Sequence, residues 1–133
     1  MFKSLESERA GQTRDLTDVL DAIPFDQQGL IPAIAQDIDS GTVLMLAWMD
    51  RVAVERTLRE GRVCYFSRSR NQHWQKGETS GHIQDLVELR LDCDGDAILV
   101  KVRQRGPACH TNRESCFYLL ADQDQIRVTT DPV

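Results

Sequence analysis

A chain of 133 residues, 41% hydrophobic and 28% charged, is expected to fold as one soluble domain, 1–133, with its own core. A net charge of −5 speaks against a general nucleic-acid binder, and no apolar run approaches the roughly 20 residues that span a bilayer. The opening Met1–Arg9 lacks the apolar stretch of a secretory signal, so a cytoplasmic location is expected; there the four cysteines serve as ligands or core residues rather than disulfides.

Residues 1–14 are polar and expected to be poorly ordered. Thr17 is placed to cap a helix over Asp18–Ile23, which Pro24 ends. Ile31–Ile38 and Val43–Met49 read as a hairpin about the turn Asp39-Ser40-Gly41. Asp50 is an N-cap for a helix through Glu60, with Val52, Val54, Thr57 and Leu58 on one side and Gly61 as its stop. Arg62–Ser67 returns to strand, and the polar stretch Ser69–Gly81 reads as a long functional loop. Val87, Leu89, Leu91 and Cys93 then alternate with Glu88, Arg90 and Asp92, predicting a strand with one apolar face. A two-residue Asp94-Gly95 turn sets Leu91 opposite Ile98 and Leu89 opposite Val100. Cys116–Leu120 is the last predicted strand, and the tail from Asp122 gives no functional signal.

Cys93, Cys109 and Cys116 carry the chemistry. Three thiolates are one short of a closed structural zinc shell, and a hydrolytic zinc needs three protein ligands and a place for water. The plain alternative is three buried small residues. Polar company argues for ligation: Asp92, Asp94 and Asp96 surround Cys93, and His110, Thr111 and Asn112 follow Cys109. Cys64, between Val63 and Tyr65, is the expected core cysteine.

The three aspartates offer oxygen to a hard cation such as Mg²⁺, or form an exposed acidic turn. They are no EF-hand, because Ala97 and Arg103 stand where that loop needs Gly and Glu. Thiolates acidify a zinc-held water less than imidazoles do, so a general base is wanted; His110 and His82 are candidates, with His73 less supported. Two local basic groups, Arg68/Arg70/Lys76 and Arg103/Arg105/Arg113, suit a small, multiply phosphorylated substrate, or are solvated surface charge.

Met45–Asp50, Tyr65–Arg70, Trp74–Gln84, Asp92–Asp96, Gly106–Thr111 and Ser115–Tyr118 together resemble phosphoribosyl-AMP cyclohydrolase, over roughly residues 29 to 118 within a motif-bearing core of 29–120. Asn112 departs from the family's usual Gly and is expected to keep the left-handed turn. His73 departs from an apolar residue, often Leu. The resemblance implies an α+β, β-rich fold: an antiparallel roll or pseudo-barrel with a capping helix, assembled as a homodimer. It implies one zinc per subunit on Cys93, Cys109 and Cys116, with Cys93 lent by the other subunit, and one Mg²⁺ on Asp92, Asp94 and Asp96. The implied reaction opens the adenine ring of phosphoribosyl-AMP between nitrogen 1 and carbon 6, in histidine biosynthesis. His110 is the first choice of proton shuttle, with His82 and Glu78 behind it; Arg68, Arg70, Lys76, Trp74 and Ser80 are assigned to the substrate. The rival reading is a non-catalytic, zinc-stabilised β binding domain; a phosphohydrolase built on the aspartates is a third.

Overall fold

The computed structural model describes residues 1–133. Two helices open the chain, α1 (Phe2–Leu5) and α2 (Leu16–Ala22). The cap of α2 is Asp15 rather than Thr17: its carboxylate accepts the Thr17 N–H at 2.9 Å, so the helix starts earlier than expected.

Strands β1 (Ile31–Asp37) and β2 (Val43–Met49) form the expected hairpin, in register from Ile31–Met49 to Ala35–Met45. The Asp37 carboxylate organises its turn by accepting from the Ser40 and Asp39 N–H groups and the Ser40 hydroxyl. Those bonds, Ser40's first, hold it below the usual carboxylate range. Helix α3 (Arg51–Glu60) begins where Asp50 Oδ1 accepts the Ala53 N–H at 2.8 Å and ends at Gly61, whose φ of 74° is left-handed. Its buried residues are Ala53, Val54 and Thr57, while Val52 faces solvent. The Thr57 hydroxyl, wholly buried, accepts the Cys64 N–H at 2.9 Å and fastens the helix to the next strand.

Strands β3 (Cys64–Ser67) and β4 (Gln72–Gln75) pair antiparallel. The stretch expected as one loop is thus divided by a short strand that its polar sequence did not signal. Strands β5 (Gln84–Leu91) and β6 (Ile98–Gln104) form the second long hairpin, with Leu91 opposite Ile98 and Leu89 opposite Val100 as expected. A bulge between Leu86 and Glu88 breaks the alternation, and Val87 turns out to solvent instead of joining the apolar face.

The six strands lie in the order β4-β3-β2-β1-β6-β5. All neighbours are antiparallel except β1 and β6, a parallel pair that departs from the all-antiparallel expectation. The sheet curls until the residues before β3 meet β5: Val63 N–H donates to Gln84 O, Leu86 N–H donates to Gly61 O, and Arg62 bridges Asp85. This half-barrel encloses Ile31, Leu44, Met49, Val63, Tyr65, Ile98, Val100 and Val102, and α3 packs against β2, β3 and β5. A separate hairpin follows, β7 (Leu119–Asp122) and β8 (Gln125–Val128). The last strand therefore starts three residues later than expected, and the tail carries a strand of its own. Cys116 lies outside it because its N–H donates instead to Leu44 O at 2.7 Å.

Candidate active site

Past β6 the chain folds into a tight loop that presents two of the cysteines. Ala108 N–H donates to Glu114 O, and Cys109 N–H to Arg113 O. Asn112 closes the turn onto Cys109 O with a φ of 62°, the left-handed conformation expected of it. Cys116 is anchored to β2 by its own N–H and by the Ser115 hydroxyl, which donates to Val43 O at 2.7 Å and accepts the Phe117 N–H.

The two thiols interact directly. Burial pushes Cys109 up, but the Thr111 hydroxyl, 3.0 Å from its sulfur, and the Cys116 thiol outweigh that and bring it below the ordinary thiol value. Cys116 is pushed up to about 11, by burial first and then by the negative charge on Cys109. Cys109 therefore gives up its proton before Cys116 does, and a metal cation would take the place of both protons. Nearby, burial pulls the Lys76 ammonium down while both thiolates oppose the shift.

The sulfurs open onto a cleft of about 410 Å³, which adjoins another of about 500 Å³ and shares Trp74, Lys76, Ser80 and His110 with it. The larger adds Arg70 and Glu78; the smaller adds His82, Cys109 and Cys116. The loop after β4 holds this wall by close packing. Gly77, at φ 82°, has no room for a side chain, since a Cβ would stand 2.5 Å from the His82 carbonyl carbon and the Ile83 nitrogen. The His82 ring lies over Gly106, where a Cβ would meet Cδ2 at 2.5 Å. Arg68 sits in the next groove, stacked 4.5 Å above Trp48, and that groove shares Trp74 with the larger cleft. His73 is engaged elsewhere: its Nε2 lies 2.8 Å from both oxygens of Asp50, clasping β4 to the start of α3.

Cys93 and the aspartates stand apart. The β5–β6 turn is closed by Asp92 N–H to Ala97 O, and Asp92 Oδ1 accepts from Asp96 N–H at 2.9 Å and Ala97 N–H at 3.2 Å. Oxygens of Asp92, Asp94 and Asp96 lie within 4.8 Å of one another, the one trio of potential metal-ligating side chains so gathered. Burial raises Asp92, but hydrogen bonds from Asp96 and Ala97 prevail and lower it; Asp96, bonded to the carboxyls of Asp94 and Asp92, rises to about 6. The third sulfur, on Cys93, does not reach the other two. Seven-residue β6 lies between the turn and the cysteine loop, a span of about 20 Å at strand rise. The thiol set fits zinc in two pieces, a preformed pair and a lone exposed donor.

Some contributors were given no role in the sequence analysis beyond their place in a motif. Thr111 acts through its bond to Cys109. Behind Cys116, the buried Tyr65 hydroxyl donates to Gln84 Oε1 at 2.7 Å, and Gln84 Nε2 reaches Met45 Sδ at 3.4 Å. The pairing brings a wholly buried Gln to Met45, a cleft residue, and only the fold reveals it.

A family model described as phosphoribosyl-AMP cyclohydrolase matches residues 45–118. A phosphoribosyl-AMP cyclohydrolase of Alkalilimnicola ehrlichii is 62% identical over 99% of this chain and 93% of its own length. Another, of Halorhodospira halophila, is 55% identical over the same shares, and one of Cereibacter sphaeroides is 57% identical over 84% of this chain and 94% of its own.

Proposed function

The chain belongs to the phosphoribosyl-AMP cyclohydrolase family of hydrolases, and we propose that it adds water across the bond between nitrogen 1 and carbon 6 of phosphoribosyl-AMP's adenine ring, a step of histidine biosynthesis. Water adds to carbon 6 and the bond to nitrogen 1 breaks, leaving a carboxamide and a formamidine arm. What carries this reading is that His110 and Lys76 line both of two adjoining clefts, one holding the Cys109–Cys116 pair and the other Arg70.

Zinc held by Cys109 and Cys116 of one chain and Cys93 of a second copy would supply the Lewis acid that eases deprotonation of water. His110, next in sequence to a ligand and lining both clefts, accepts that water's proton and returns it to nitrogen 1 as the ring opens. His82 and Glu78 line one cleft each and stand behind it in that role. Arg70 and Lys76 hold phosphate oxygens, Arg with its planar fork and Lys as a point charge, and Arg68 extends that basic rim. Trp74 offers a face to the purine, and Ser80 a hydroxyl beside it. Mg²⁺ on Asp92, Asp94 and Asp96 would relieve the crowding of three carboxylates and bring a second cation to the completed site. This assigns one zinc and one Mg²⁺ to each subunit of a homodimer acting in the cytoplasm on a small phosphorylated nucleotide. No helix is long and apolar enough to cross a membrane.

The direct test follows the absorbance change of phosphoribosyl-AMP on ring opening, before zinc removal, after it and after repletion. Activity that vanishes and returns with zinc is expected; turnover indifferent to zinc rules the reading out. Arg70→Ala should raise KM by about 10–100-fold through loss of a charged hydrogen bond, with kcat little changed.

A further inference from the structure

Two wholly buried polar side chains, Tyr65 of β3 and Gln84 of β5, meet in the core where the curled sheet closes on itself. The backbone seam beside them is the bond from Val63 N–H to Gln84 O, 3.1 Å long. The Tyr65 hydroxyl donates to Gln84 Oε1 at 2.7 Å, and Gln84 Nε2 reaches the sulfur of Met45, on β2, at 3.4 Å. One amide group thus ties three strands together. A buried amide costs stability unless its bonds are made, and an apolar residue of similar size would fill the same place without that risk. What the bonded pair adds is direction. A hydrogen bond fixes the angle of a ring and the place of an amide, where apolar contact fixes only the volume.

Both ends of this network reach the clefts. Tyr65 stands directly opposite Trp74 in the β3–β4 pairing, and the two rings lie 5.0 Å apart at a tilt of 34°. Trp74 therefore rests on the ring that Gln84 holds. It lines the sulfur cleft and the cleft beside it, and Met45 lines the sulfur cleft. The opposite face of the same strand pair is held separately, where His73 meets Phe66 edge-on and bonds to Asp50.

We propose that Tyr65 and Gln84 are positioning residues, whose buried hydrogen bond sets the angle at which Trp74 and Met45 receive the purine. The inference deepens the reading of Trp74 as the purine's platform and rests on it. Aromatic contact depends on ring geometry, and a ring held at the right angle is worth about three- to tenfold in affinity.

The test compares the zinc-loaded protein with Tyr65→Phe, Gln84→Leu and the double variant. Each single change orphans a buried polar atom; the double variant removes both partners and should regain much of the lost melting temperature. KM for phosphoribosyl-AMP and the dissociation constant of AMP, the latter by equilibrium dialysis, report on the cleft. Fluorotryptophan labelling gives Trp74 a fluorine resonance of its own, told from that of Trp48 by Trp48→Phe. All three variants should raise KM and the AMP constant about three- to tenfold, with kcat within about twofold, and should broaden or split the Trp74 line. A double variant that is stable yet still impaired separates positioning from packing. One with wild-type KM and a single narrow Trp74 line overturns the proposal. A wild-type Trp74 line already split between two environments overturns it with no core variant at all. Failure of ring opening beside the expected loss of AMP affinity would overturn the reaction and leave the pair's role standing. A wild type that takes up no AMP overturns the purine platform and the pair's role together.

Discussion

At one end of β6, Cys109 and Cys116 sit in a loop closed by its own backbone bonds, one of them buried, the first thiol shifted down and the second up. At the other end, Cys93 stands on an exposed turn whose only internal order comes from Asp92 and Gly95. The first end has an electrostatic setting complete without a partner: a hydroxyl on one sulfur, an ammonium near both, and histidines in the adjoining clefts. The second gathers three carboxylates within 4.8 Å of one another. The contrast teaches that one end of the hairpin gathers a preformed pair of sulfurs while the other presents a single exposed one, the division on which the proposed two-chain site rests.

The sharpest way to break that comparison uses single cysteine variants. Cys109→Ala and Cys93→Ala should each drop activity to background with loss of bound zinc. Mixed in equal amounts and allowed to exchange subunits, the two should recover about a quarter of wild-type activity, because half the dimers then carry one intact site of two. A mixture as dead as its parts would show that no site spans two chains. Next in size, His110→Ala should lower kcat by about 10²–10⁴ while zinc stays bound, measured by turnover and metal analysis on one sample. Normal turnover would remove it from the reaction.

A smaller effect probes the preformed end alone. Thr111→Val removes the hydroxyl from Cys109 and should weaken zinc binding by about tenfold in a chelator competition, with Cys93 untouched. The smallest effect belongs to the acidic end. Asp96 titrates near about 6 in the folded chain against an ordinary 3.8, so between those values the folded state holds a proton the unfolded chain has lost. Stability from this group therefore declines as pH rises through that window and stays lower above it; Asp92, shifted downward, contributes oppositely, and only toward acid. Mg²⁺ should raise the melting temperature more at about pH 7.5 than at pH 5, by no more than about 2 °C. Equal gains would mean the carboxylates hold no cation.

Much of the scaffold was legible because local chemistry and fold agree. Asp50 and Gly61 bracket α3, and the alternation of Leu89, Leu91, Ile98 and Val100 fixes the long hairpin. What escaped was tertiary in origin. Strand β4 exists because β3 offers its edge to a polar segment, Val87 is displaced by a bulge, and Cys116 leaves its apolar run because Leu44 O captures its N–H. The site behaved likewise. Nearly every expected substrate residue lines one pair of clefts, yet the sequence cannot say that Cys93 lies a strand's length from its fellow sulfurs. Residue types announce a donor set, and only the path of the chain says which of its members stand together.

Position 77 shows how little freedom the cleft wall has. Its backbone leans directly on the peptide joining His82 to Ile83, so even a methyl group would force two main-chain segments apart. A fully randomised codon there, selected for growth without added histidine, should return glycine and nothing else.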